Sequence, residues 1–124
     1  MSGPDDQLNT ETSPLDGETL DSLRELGGDS FLGELAVIFL DDAPAQLAAI
    51  ENALAAGDSD RLASSAHALK SSAGNMGAKR LNTILSEIEG AGRRGELEGV
   101  PAHVVAMNAE WVRVARALEV FRQG

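Results

Sequence analysis

Two histidines, His67 and His103, are the side chains of this 124-residue chain whose ordinary titration range spans neutral pH. Cysteine is absent, which excludes thiol nucleophiles, thiolate metal sites and disulfides together. The two histidines keep different company. On a wheel of roughly 100° per residue, Leu62, Ala66, Leu69, Ala73 and Met76 gather on one side of a helix, and His67 points roughly 140° away from Leu62. Its neighbours along that outer face, Ser64, Ser71 and Gly74, are all small, and Lys70 is the long side chain beside it. The imidazole therefore stands in a cleared patch with a cation at its shoulder. His103 follows Pro101, falls off the apolar stripe of its own helix and reads as a solvent-facing bystander.

Several chemistries fail on this arrangement. No second His, Cys or carboxylate lies one turn from His67 on its face, so a metal site is not expected. Ser-His-Asp hydrolysis would need a strained nucleophile turn of the G-x-S-x-G kind, which the sequence lacks. No glycine loop suited to cradling nucleotide phosphates is present either. What remains is His67 as the nucleophile itself, a neutral imidazole whose free nitrogen accepts a phosphoryl group. Lys70 would offset the charge arriving on the phosphoryl oxygens, and the donor would have to be another protein. The wheel alone fits an ordinary surface histidine equally well.

The elements that must position these residues read as helices. Apolar residues make up 43% of the chain but aromatics only 3%, so Ala, Leu and Val must do the packing. Residues 1–14 read as a disordered polar tail, and residues 15–124 as the folded domain. A short helix with Leu20, Leu23 and Leu26 on one side should close at Gly27-Gly28. A long helix capped by Asp29 or Ser30 should carry Phe31, Leu35, Ile38, Phe39, Leu47, Ile50 and Leu54 inward, kinked near Leu40 to Pro44. Gly57 should end it and Asp58 cap the His67 helix, which should run to about Asn75. The next helix begins near Ala78, presents Leu81, Ile84, Leu85 and Ile88, and ends around Gly92 to Gly95. In the last, Leu97, Val100, Val104, Met107, Trp111, Val114, Leu118 and Phe121 alternate steps of three and four. Four long amphipathic helices with short turns close as an all-α, up-down-up-down antiparallel four-helix bundle, the short helix lying across one end.

Charge is uneven along the chain. Residues 1–60 hold fourteen acids and one base, Arg24, whereas residues 61–94 hold six bases against Glu87 and Glu89. Such a basic island either offers a dock for an anionic partner or balances neighbouring helices. A net charge of −10 argues against nucleic acid as a partner, and no stretch is long enough for a membrane span or fits a signal peptide.

The stretch His67-Ala68-Leu69-Lys70-Ser71-Ser72-Ala73-Gly74-Asn75-Met76-Gly77-Ala78 closely resembles the motif of histidine-containing phosphotransfer (HPt) domains of bacterial two-component phosphorelays. Asp41-Asp42-Ala43-Pro44 and the Ala56-Gly57-Asp58 break also resemble that family, so the likeness covers roughly residues 15–122. It implies that His67 is the phospho-acceptor and Lys70 its charge partner. It further implies that Glu89, twenty-two residues after His67, bonds the ring nitrogen that is not phosphorylated, with Arg93 four residues further on. Both lie one turn apart at the edge of their helix's apolar face, where a plain helix ion pair is the competing reading. One position departs from the pattern: the family usually has Gly directly after the Lys, and here it is Ser71.

On this resemblance the expected function is a cytoplasmic, monomeric phosphocarrier rather than an enzyme with its own turnover. It would relay a phosphoryl group between receiver-domain aspartates of a response regulator or hybrid histidine kinase. No cofactor is expected on this chain, the receiver supplying Mg²⁺, and Ser64, Ser71 and Gly74 are expected under the docked partner. The alternative is a non-catalytic helical adaptor or inhibitor that binds a signalling partner through the same face. The initiating Met1 and polar start favour a free-standing protein over a piece of a hybrid kinase.

Overall fold

A computed structural model describes residues 13–123. They form four helices, α1 (Gly17–Ala56), α2 (Ser59–Asn75), α3 (Lys79–Arg94) and α4 (Val100–Gln123). Helix α2 packs on α1 and α3, and α4 packs on the same two, so α2 and α4 lie on one diagonal of an up-down-up-down bundle. The expected tail falls mostly on residues 1–12, outside the described residues.

Several helix ends have a local cause. Asp16 caps α1, its Oδ2 accepting from Thr19 N at 3.2 Å and from Thr19 Oγ1 at 2.7 Å. The same residue donates its backbone N–H to Gly77 O at 2.7 Å, which stitches the start of α1 to the turn between α2 and α3. Gly57 takes a left-handed conformation, φ 67° and ψ 25°, and ends α1; Asp58 then caps α2 through Arg61 N at 3.1 Å. Gly95, with φ 69°, closes α3 the same way.

Helix α1 is where sequence and structure differ most. Its break falls at Gly28, whose φ of 79° and ψ of −175° leave the helical region, and residues 17–27 form the expected short arm. No other residue of α1 has non-helical dihedrals; the backbone stays helical through Pro44, where a kink was expected. Asp29 Oδ1 accepts from Arg24 Nε at 3.1 Å, across the break. Leu26 is 77% exposed because steps of three drift roughly 60° backward each time, leaving it about 120° from Leu20. Ile38 is also exposed, at 55%, whereas Leu32, Ala36, Leu40, Ala43 and Ala53 are buried. Apolar residues surround this part of the helix, so the pattern alone does not choose which of them face inward.

The other three helices keep the expected faces. Leu62, Ala66, Leu69, Ala73 and Met76 from α2 meet Leu81, Ile84, Leu85 and Ile88 from α3, all buried. Val100, Val104, Met107, Val114 and Leu118 bury one stripe of α4, and Trp111 meets Phe39 edge-on, ring centroids 5.3 Å apart and planes at 86°. Fully burying a Leu or Ile contributes about 1.5–3 kcal/mol, so the α2–α3 seam is a stiff platform for what lies on it.

Candidate functional site

His67 stands midway along α2 with its side chain 55% exposed, held outward by the burial of Ala66 and Leu69 on either side. Ser64, Ser71 and Gly74 are exposed around it, so the outer face of α2 is as low as its composition implied. Beneath the ring lies Glu89 of α3, 6% exposed. A close helix approach puts it there. A Cβ on Gly92 would lie 2.9 Å from both Ala63 N and Ser59 O, so α3 rides against the α2 backbone one turn beyond Glu89. In the sequence Gly92 marks only the end of a helix; a lone glycine inside a helical pattern is the signal for such an approach.

Glu89 gathers three partners. His67 Nδ1 lies 3.1 Å from its Oε2, Arg93 donates to the same oxygen through Nε at 3.0 Å, and Lys70 Nζ sits 2.7 Å from Oε1. The Lys70 contact is a short ion pair to the carboxylate oxygen that His67 and Arg93 do not use. The Lys70 ammonium above all, with Arg93 and His67 behind it, holds the Glu89 carboxyl at about 2, against the burial that would raise it. An ionised Glu89 accepts only, so Nδ1 must carry the proton of a neutral His67 ring. That leaves the Nε2 lone pair, across the ring, as the nucleophile. Four residues separated by up to twenty-six positions thus form one cluster of two cations, one carboxylate and one imidazole.

The remaining candidates are placed elsewhere. His103 of α4 is half-buried, its Nδ1 3.6 Å from Glu87 Oε1 in the groove between α3 and α4, and α4 lies diagonally across the bundle from α2. No group of three His, Asp or Glu side chains suited to a metal ion occurs among the described residues. The basic island proves largely paired: Arg61 with Asp58, Lys79 with Asp16, Arg80 with Glu110 and Arg94 with Glu96. Balance between neighbouring side chains therefore accounts for most of it, and the local excess of positive charge is at Glu89, where Lys70 and Arg93 share one carboxylate.

Sequence comparison agrees with this geometry. The Hpt domain family matches residues 34–123, and the chain belongs to that family. It is also similar to the crystal structure of histidine-containing phosphotransfer protein B (HptB) from Pseudomonas aeruginosa PAO1. The two are 35% identical over 90% of this chain and 96% of that one, with a TM-score of 0.84. No curated protein sequence matches significantly. Membership supports a histidine phosphotransfer role in a phosphorelay, and members of the family are phosphocarriers and not classical enzymes. No helix among the described residues is long and apolar enough to cross a membrane.

Proposed function

We propose that the protein takes a phosphoryl group from the aspartyl phosphate of one receiver domain onto His67 Nε2 and returns it to the aspartate of another. The observation that carries this reading is the exposed His67 ring with its Nδ1 fixed on buried Glu89. In the forward step the Nε2 lone pair forms the N–P bond as the aspartyl O–P bond breaks, and the electron pair leaves with the donor carboxylate. The Nδ1 proton stays in place, so the ring becomes cationic while Glu89 stands against it. Lys70, seated on the carboxylate oxygen that His67 and Arg93 do not use, would turn toward the phosphoryl oxygens as they arrive, and Arg93 would keep Glu89 neutralised meanwhile.

The receiver would bring the Mg²⁺ and most of the transition-state stabilisation; this chain brings nucleophile, cation and docking face. Ser64, Ser71 and Gly74 form the low ground under the receiver. One chain holds the whole cluster, so the proposed transfer needs no second copy, and we read the protein as a monomer of the cytoplasm.

Incubation with a phosphorylated receiver tests this. Acid-labile, base-stable phosphate should appear on the parent and be absent from His67→Gln, with helicity and melting nearly unchanged because an exposed helix position carries little packing energy. Label on the His67→Gln protein, or its loss from His103→Gln instead, overturns the assignment. A parent that binds receivers but never takes label is an adaptor.

A further inference from the structure

Asn82 of α3 lies two turns before Glu89, and seven residues bring the two within roughly 20° of each other on the face turned toward α2. Its Nδ2 donates to the main-chain oxygen of Lys70 at 2.9 Å. Only the amino end of the amide can bond a carbonyl, which fixes the orientation of the side chain. A helical carbonyl has its regular partner four residues on and a second lone pair to spare, so this bond adds to α2 without unravelling it. Gly74, one turn beyond Lys70, makes the room: a Cβ there would lie 3.2 Å from Asn82 Nδ2. Helix α3 therefore grips Lys70 at two points, the main chain through Asn82 and the ammonium through Glu89.

A lysine is a point charge on a flexible stem, and its value to a reacting group depends on where the stem is rooted. We propose that Asn82 is a positioning residue for phosphoryl transfer. Its amide, seated beside Gly74, roots the Lys70 main chain so that the ammonium reaches the phosphoryl oxygens carried by His67. The exposed Gly74 thus serves Asn82 as well as the docking face. This inference rests on the reading of His67 and Lys70 as the transfer pair.

The test compares Asn82→Ala, Asn82→Asp and Gly74→Ala, each in the parent and in a Lys70→Ala background. Receiver affinity, transfer rate at saturating phosphorylated receiver, and melting are measured for each. Asn82→Asp keeps the size of the side chain but turns a second acceptor toward the Lys70 oxygen; Gly74→Ala reaches the same bond from the other side. All three should slow transfer about tenfold in the parent, a loss typical of a misplaced group, and the two Asn82 variants, which lie off the docking face, should change receiver Kd less than about twofold. In the Lys70→Ala background, itself slower by roughly ten- to a hundredfold, they should add less than about twofold. Equal slowing in both backgrounds would make Asn82 a general brace between helices and overturn the proposal, as would a Kd of the Asn82 variants that rises in step with their rate loss, or no rate loss at all. Parental transfer by Lys70→Ala alone would remove the transfer role of Lys70, and that of Asn82 with it.

Discussion

At the scale of the residue, the site depends on what surrounds His67 as much as on the imidazole. Small side chains keep the approach open, and Ser71 stands where the motif that this chain resembles usually has Gly. It is exposed, one turn along α2 and roughly 40° around from His67, on the surface proposed to meet a receiver. Ser71→Gly should weaken the fold by about 0.5 kcal/mol through helix propensity while leaving docking unchanged or slightly tighter. Ser71→Gln should fold normally yet slow transfer at least tenfold, or about 1.4 kcal/mol, because the longer side chain stands in the approach. Stopped-flow transfer rates for the three proteins check this. A Ser71→Gln protein as fast as the parent would place the receiver on another face.

At the scale of the element, α3 is the part that turns an exposed histidine into an oriented one, and Gly92 is the reason it comes close enough. Two glycines in α3 separate propensity from packing. A Cβ on Gly90 would meet only the far end of Arg94, Nη1 at 3.1 Å, which can move aside. Gly90→Ala should therefore gain up to about 1 kcal/mol of helix stability. On Gly92 the Cβ would meet backbone at 2.9 Å, and the chain cannot step away without separating the helices. Overpacking of about 1–3 kcal/mol then offsets the propensity gain, and Gly92→Ala should be net destabilised by up to about 2 kcal/mol. Urea unfolding of the pair checks the opposite signs. The same separation should loosen Glu89 from His67, which the ring nitrogen shifts in NMR would register.

At the scale of the whole molecule, the buried carboxylate couples the site to stability. Glu89 titrates at about 2 in the folded chain against an ordinary 4.5. A folded value below the unfolded one contributes stability that is complete above about pH 4.5 and lost as the pH falls toward 2. At about 1.4 kcal/mol per unit this is on the order of 3 kcal/mol. Unfolding free energies of the parent and Glu89→Gln, followed from pH 7 to 2, should converge across that window, since the variant has no proton to take up there. Parallel curves would mean that Glu89 is not held ionised by Lys70 and Arg93. Exposed surface pairs such as Arg61–Asp58 should contribute little to the difference.

Much of this protein is fixed by neighbours along the chain. The Gly57–Asp58 junction, the outward turn of His67 and the buried stripes of α2, α3 and α4 follow from caps and from a 3.6-residue period, both of which act within a few residues. The motif from His67 to Ala78 carried the family resemblance, and with it Glu89 and Arg93, which no local pattern singles out. Which side of α1 faces inward was not legible, since Ile38 and Ala36 offer the period equal grounds and only the fit against α2 and α4 selects the alanine. The seat of Glu89 under His67 and the grip of Asn82 on Lys70 likewise belong to the tertiary structure alone. They depend on the spacing and register of α3 against α2, set by backbone contact at Gly92 and room at Gly74, and register between helices is decided by how two surfaces pack, not by the period of either one.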